Sequence, residues 1–204
     1  VAVLRQLMAK YGKPTPLWAT EFSDLADMKK SRDDVARYLV RMSVLPLSAR
    51  GERIYWSLLR DYQEFAGLGL LRDERDPLGR YAPNPGYVAY TVLIHELQGA
   101  SFVRREASDP RTHIYAFSGR DGEVRVAWSF LPKASYDLAS AGPLRIDTMM
   151  GGGKRLAPHN GRVAITLDDN PIYIHGAAVP LEASGASRSV ASSADDFSLD
   201  QGAK

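Results

Sequence analysis

The pattern of apolar residues changes at Gly99, and this change constrains the fold of the 204-residue chain more than any other feature. Before Gly99, segments with apolar residues three and four positions apart alternate with short continuous apolar runs. That order is typical of helices alternating with buried parallel strands. After Gly99, short alternating segments are separated by turn residues, which is typical of antiparallel sheet. The sequence therefore predicts an α/β part, residues 1–99, followed by an all-β part, residues 100–176.

The α/β part is predicted to run helix, strand, helix, strand, helix. The two strands are the apolar runs Leu17–Phe22 and Arg53–Leu59. The helices are a first one that ends at Gly12, a second capped by Ser31 and closed by Pro46, and a third that starts at Asn84-Pro85 and ends at Gly99. Strict alternation in the first strand places Leu17, Ala19 and Glu21 on one face, and Trp18, Thr20 and Phe22 on the other. Trp18 and Tyr55 are predicted to be core residues.

The all-β part is predicted to be an antiparallel sandwich or meander. Six strands are expected, at Phe102–Glu106, Thr112–Ser118, Glu123–Phe130, Leu144–Met149, Arg162–Leu167 and Pro171–His175. The aromatic residues Tyr115, Phe117 and Trp128 fall on positions that suit a core. From Ala177 onward Ala, Ser and Gly dominate and periodicity is lost, so residues 177–204 are predicted to be a disordered tail.

Composition excludes several classes of function. The net charge is +2 and there is no basic stripe, so a nucleic-acid partner is not expected. No run approaches the roughly 18 apolar residues of a membrane span. Because there is no Cys, disulfides and thiolate metal sites are excluded, although the compartment stays open. The chain begins at Val1, within an apparent helix, and we expect it to be a piece of a longer protein of unknown oligomeric state.

Glu21 and Trp56 are the candidate site residues. Glu21 ends a buried strand, and barrel enzymes place their chemistry at the carboxyl ends of parallel strands. The alternative is a carboxylate that only solvates a strand end. Trp56 shares strand parity with Ile54 and Leu58. The alternative for Trp56 is an ordinary core tryptophan.

Other polar residues carry weaker signals. Asp24, Asp61 and Asp73 lie on predicted loops at the same end of the strands, where they could hydrogen-bond a ligand or simply be solvated. The four histidines have no metal-ligand spacing, and structural roles are favoured for them; they are His95, His113, His159 and His175. Gly151-Gly-Gly153 lacks the Lys-Ser/Thr and the βαβ setting of a phosphate loop, so a turn is predicted.

Several segments resemble the retaining glycoside hydrolases of clan A, the β-4/7 enzymes with a (β/α)₈ TIM barrel. Leu17-Trp-Ala-Thr-Glu-Phe22 resembles their seventh strand, and Arg53-Ile-Tyr-Trp-Ser-Leu-Leu-Arg-Asp61 resembles the eighth. Gly67-Leu-Gly-Leu-Leu-Arg-Asp73 resembles the segment before the last barrel helix. Residues 100–176, with Asn170-Pro-Ile-Tyr-Ile174 near their end, resemble the β-sandwich appended to the barrel in the β-xylosidase and exopolysaccharide-hydrolase branch. The resemblance covers about residues 1–176.

The resemblance implies the last strands and helices of a TIM barrel, followed by an antiparallel β-sandwich. It also implies cleavage of O-glycosidic bonds in a poly- or oligosaccharide, with Glu21 as the nucleophile, Trp56 as the floor of the sugar site, and no cofactor or metal. Retaining hydrolysis needs a second carboxyl group as acid/base. In the family this group belongs to an Asn-Glu pair on the fourth strand, and no such pair occurs in this chain. We therefore expect the acid/base upstream of Val1. The alternative is a non-catalytic carbohydrate-binding or scaffold protein of the same architecture.

Overall fold

The computed structural model describes residues 2–12, 15–22, 31–62, 65–107 and 109–181. Three helices and eleven strands occur in these residues. The helices are α1 (Ala2–Tyr11), α2 (Arg32–Ser48) and α3 (Pro85–Leu97). The strands are β1 (Trp18–Ala19), β2 (Arg53–Ile54), β3 (Ser101–Arg105), β4 (Thr112–Gly119), β5 (Gly122–Ser129), β6 (Ala134–Ser140), β7 (Leu144–Thr148), β8 (Gly153–Leu156), β9 (Arg162–Leu167), β10 (Ile172–His175) and β11 (Ala178–Pro180). No helix among these residues has the length and apolar character needed to cross a bilayer.

The two strands predicted in the α/β part pair in parallel, which confirms that part of the prediction. Each is shorter than expected, at two residues, although backbone hydrogen bonds continue the pairing from Leu17 to Phe22 on one side and from Glu52 to Ser57 on the other. The connection between the strands passes through α2, as a parallel pair requires.

Local signals fix the ends of α2. Ser31 and Asp34 form a reciprocal capping box, because each side chain accepts a hydrogen bond from the backbone N–H of the other residue. The prediction that Pro46 closes this helix is wrong, because the helix continues to Ser48. A proline so near the end removes only one intrahelical bond, and the Ala49 N–H still donates to Leu45 O at 3.2 Å.

The all-β part consists of two antiparallel sheets. The larger has the strand order β3-β4-β5-β10-β7-β8, and the smaller has the order β11-β6-β9. One face of the larger sheet shares an apolar core with the smaller sheet, around Leu138, Ile165 and Ile174. The other face packs on α2 and α3 through Phe117, Trp128 and Tyr173. The larger sheet is therefore a middle layer between helices and a second sheet.

Three strands were not predicted. β6 carries mostly small and polar residues, and β8 is an exposed edge strand, so neither shows clear apolar alternation. β11 lies within the predicted tail, and it pairs with β6 from Ala178 to Pro180. The boundary predicted at Ala177 is therefore wrong, and the rest of the predicted tail, residues 182–204, lies outside the described residues.

Candidate active site

Glu21 lies just beyond β1, at the carboxyl end of the strand, and its side chain is exposed. The Tyr55 N–H donates to Ala19 O at 2.9 Å, and the Ser57 N–H donates to Phe22 O at 3.0 Å. Phe22 is three residues after Ala19 on the first strand, whereas Ser57 is only two residues after Tyr55 on the second, so the first strand carries one extra residue, as in a β-bulge. The extra residue shifts the alternation, so that Phe22 packs into the apolar core while Glu21 stays in solvent. The predicted grouping of Phe22 with Trp18 is therefore wrong.

The two faces of the β1–β2 pair differ in burial. Trp56 and Leu58 contribute to the core on the side of α2. On the opposite side Trp18 and Tyr55 are 51% and 43% exposed, and the Arg53 guanidinium lies 4.5 Å from the centroid of the Trp18 ring. The prediction that Trp18 and Tyr55 are core residues is wrong for the part of the chain that the structure describes. This half-exposed face is named the open face below.

Trp56 is 9% exposed and is held on two sides. Its ring meets Phe22 edge-on, with centroids 5.7 Å apart, and its indole N–H donates to Leu68 O at 2.8 Å. The predicted parity with Ile54 and Leu58 is confirmed, since these three residues are more buried than their neighbours Tyr55, Ser57 and Leu59. The predicted contact of this ring with a sugar stays a prediction.

Asp61 is a buried carboxylate at the start of the segment that follows β2, with 1% exposure. It accepts hydrogen bonds from the Gly69 N–H at 2.8 Å and from Asn84 Nδ2 at 3.1 Å, and it pairs with Arg32 Nη2 at 3.4 Å. The interpretation of Asp61 as a solvated loop carboxylate is therefore wrong. Asn84 occupies the N-cap position of α3 as predicted, but its side chain binds Asp61 and Gly69 O instead of capping the helix.

A charged pocket of about 440 Å³ opens beside Asp61. Arg32 bridges Asp61 and Asp76, and its Nη2 lies 3.0 Å from Asp76 Oδ2. Arg72 also pairs with Asp76, with Nη1 3.2 Å from Oδ1. The Leu78 N–H and these two guanidinium groups hold the pKa of Asp76 below its usual range. Asp73 accepts a hydrogen bond from the Arg75 N–H at 2.9 Å. Alternating cations and carboxylates of this kind can hydrogen-bond polar ligands such as sugar hydroxyls.

The remaining candidates lie elsewhere. Asp24 falls outside the described residues. His95 and His159 are exposed, and His113 stacks on Trp128 with centroids 4.9 Å apart. Burial, with Arg105 and Arg41 nearby, lowers the pKa of His113, which suits a structural role. His175 lies beside Glu96 and Asp147, a grouping that the sequence did not predict because the three residues are far apart along the chain.

Comparison with known proteins gives a structural likeness without a sequence relative. No protein-family model and no curated protein matches the chain. A family 39 glycoside hydrolase from the gut symbiont Bacteroides cellulosilyticus WH2 has a TM-score of 0.67 at 18% identity, over 84% of this chain and 36% of its own. A GH30 endoxylanase from Clostridium papyrosolvens C71 has a TM-score of 0.54 at 16% identity, over 84% and 44% of the two chains.

A third solved structure, BuGH86 in complex with neoagarooctaose, has a TM-score of 0.52 at 14% identity and covers 83% of this chain and 31% of its own. All three neighbours are glycoside hydrolases, and at these identities they share the fold with this chain. The chain spans less than half the length of each neighbour. The comparison therefore establishes a fold shared with these structures, and any activity of this chain is a matter for proposal.

Proposed function

We propose that this chain is the C-terminal part of a retaining glycoside hydrolase, in which β1 and β2 are the seventh and eighth strands of a TIM barrel. The observation that carries the proposal is Glu21, an exposed carboxylate at the carboxyl end of a parallel strand in a fold shared with glycoside hydrolases. In a barrel, that end of the strand is where catalytic groups are placed. The two antiparallel sheets would be the β-sandwich appended to the barrel.

The proposed reaction proceeds through a glycosyl-enzyme on Glu21. The carboxylate attacks the anomeric carbon while an acid protonates the leaving oxygen, and water then releases the sugar with help from the same residue as base. The two carboxyl groups must lie about 5–5.5 Å apart. The second group would come from outside this chain, and we therefore expect the 204-residue chain alone to have no activity on glycosides.

The open face would line the interior of the barrel. Trp18 and Tyr55 are half exposed in the described residues because that face lacks a partner layer there, and barrel interiors are packed with side chains. The bulge between Ala19 and Phe22 supports the role of Glu21, because bulges frequently occur beside active sites and redirect a side chain.

The test is covalent labelling of the longer protein with a mechanism-based fluorosugar, followed by peptide mapping. We expect the label on Glu21, and we expect Glu21→Gln to lower kcat by several orders of magnitude. Glu52→Gln is the matched control, because Glu52 is an exposed glutamate at the amino end of β2, and its activity should be close to that of the parent. A label on another carboxylate, or full activity of Glu21→Gln, would contradict the assignment. Sugar binding without turnover or label would favour the non-catalytic alternative.

Trp56 is proposed to form the floor of the sugar site, although its ring lies on the α2 side of β2, opposite the open face, so it could reach a sugar only at the carboxyl end of the strand. If its ring contacts the substrate at the open end of β2, Trp56→Ala raises KM or lowers kcat in folded protein. If the ring serves only the core, the same variant loses stability, while the fraction that remains folded keeps its kinetic constants. Measurement of both, with denaturation curves beside the kinetics, separates the two roles.

A further inference from the structure

Three potential metal ligands converge where the end of α3 crosses the larger sheet. Glu96 comes from α3, Asp147 from β7 and His175 from the end of β10. In the antiparallel pairing of β10 with β7, Tyr173 lies opposite Asp147. Because side chains alternate along a strand, His175 shares the helix-packed face with Tyr173, and Asp147 lies on the same face. The topology therefore brings one imidazole and two carboxylates together from three separate elements.

The ligand atoms of the three residues lie within 4.8 Å of one another. His175 Nε2 is 2.8 Å from Glu96 Oε2 and 3.4 Å from Asp147 Oδ2. When a tetrahedral ion holds its ligand atoms at about 2.0–2.1 Å, neighbouring ligand atoms lie about 3.4 Å from each other. The His175–Asp147 separation already has this value, and the His175–Glu96 separation would have to open by about half an ångström.

His175 Nε2 is buried and has no hydrogen-bond partner of acceptable geometry, although two carboxylates lie beside it. Glu96 has a side chain that is only 7% exposed, and the basic groups in contact with it, within the part of the chain that the structure describes, are His175 and Arg145 Nη2 at 3.8 Å. A buried carboxylate with so little compensation favours a cation.

Two neighbours shape the position of Asp147. Arg145 Nε lies 2.7 Å from Asp147 Oδ2 and orients the carboxylate. Gly153, its partner on β8, leaves the space that the carboxylate fills, because a Cβ there would lie 2.2 Å from Asp147 Oδ1. With one guanidinium against two carboxylates, the cluster keeps a net negative charge when His175 is neutral. Cavities of about 420 and 270 Å³ adjoin Glu96 and provide a path for an ion.

We propose that Glu96, Asp147 and His175 bind a divalent metal ion, with Zn²⁺ the best match, and that this ion ties the end of α3 to the larger sheet. One imidazole nitrogen and two carboxylate oxygens, with water in the fourth position, form a ligand set that suits Zn²⁺. Ca²⁺ takes six to eight oxygens and fits the set less well. Arg145 acts as an outer partner that fixes a ligand, as such partners do in metal sites. The site is independent of the proposed chemistry at Glu21.

The test is titration of the metal-stripped 204-residue chain with ZnCl₂ by calorimetry, together with the visible spectrum of the Co²⁺ form. We expect one ion per chain and a higher Tm with Zn²⁺. His175→Ala and Glu96→Gln should each weaken binding at least about tenfold. His159→Ala is the matched control, because His159 is an exposed histidine between β8 and β9 that does not belong to the cluster, and the Zn²⁺ affinity of this variant should not change.

Gly153→Ala provides a variant that keeps every ligand, and it should weaken binding by displacing the Asp147 carboxylate. Circular dichroism checks that each variant is folded. If both ligand variants fail to fold, the decision rests on the wild-type chain and Gly153→Ala. No binding of Zn²⁺ up to about 1 mM, or equal affinity in the wild type and in every folded variant, would overturn the proposal and leave the cluster as a His175–Glu96 ion pair.

Discussion

Replacement of Asp61 tests whether the segment after β2 is held by one buried carboxylate. Asp61→Ala leaves the Gly69 N–H buried without its acceptor, which costs about 1–3 kcal/mol. It also removes one of the two hydrogen bonds made by Asn84 Nδ2, worth about 1 kcal/mol. Arg32 keeps its contact with Asp76, and its side chain is 30% exposed, so the loss of the Arg32–Asp61 ion pair adds little to the free-energy cost. We expect Asp61→Ala to lower the free energy of unfolding by about 3 kcal/mol.

Asp73→Ala is the matched control. Asp73 lies in the same segment, is only half-buried and accepts a hydrogen bond from the Arg75 N–H, so its replacement should cost about 0.5 kcal/mol. Asp61→Asn should fall between the two, because its amide oxygen can still accept from Gly69 while its amide nitrogen opposes that of Asn84. Urea denaturation of the full chain, followed by circular dichroism and tryptophan fluorescence, measures all three variants. Equal values for Asp61→Ala and Asp73→Ala would refute the reasoning.

Three other variants follow from the contacts of single residues. Ser31→Ala should cost about 1 kcal/mol in urea denaturation at pH 7. Hydrogen bonds from the Ser31 hydroxyl and, next in size, from Arg37 lower the pKa of Asp34 from 3.8 to about 2. The stability gained from the ionised Asp34 is therefore full above pH 3.8 and is lost as the pH falls through 2. A carboxyl NMR titration should show a higher Asp34 pKa in Ser31→Ala, and an unchanged pKa would contradict the cap. Glu106→Gln leaves the fully buried Arg125 with Glu123, which is partly exposed, as its remaining carboxylate partner among the described residues, beside the carbonyl of Ala178. A loss of about 3 kcal/mol in urea is expected, larger than for Glu123→Gln, and the reverse order would count against the buried pair. Gly69→Ala would put a Cβ 2.2 Å from Asp61 N, so a drop of several degrees in Tm or failure to fold is expected, whereas Gly142→Ala, which has open space, should behave as the parent; similar Tm values for the two would argue against the close packing.

The sequence predicted the elements whose signals are local. The cap at Ser31, the end of α1 at Gly12, the parallel pair and the antiparallel pairing after Gly99 all depend on neighbouring residues or on regular periodicity. The side on which Phe22 lies could not be predicted, because a single bulged residue reverses the alternation and leaves no mark in composition.

The candidate site residues also divide into those that a local sequence signal marks and those that it does not. Glu21 could be singled out because it ends an apolar run. The burial of Asp61 depends on Gly69 and Asn84, which reach it from later segments, and nothing in Arg60-Asp61-Tyr62 distinguishes it from a solvated loop carboxylate. His175 meets Glu96 and Asp147 only through the order of strands in the larger sheet, which pattern alone does not determine.

The apolar core beneath α2 and α3 is continuous with the helix-packed face of the larger sheet. Leu39 and Leu93 belong to the same cluster as Phe117 and Tyr173, and Arg37 and Arg41 also pair with Asp169 in the turn before β10. The change of pattern at Gly99 is therefore a boundary in the sequence but not in the thermodynamics of the molecule. A cut at that glycine would expose the helix-packed face of the sheet to water, so the helices and the sheets should melt as one cooperative unit.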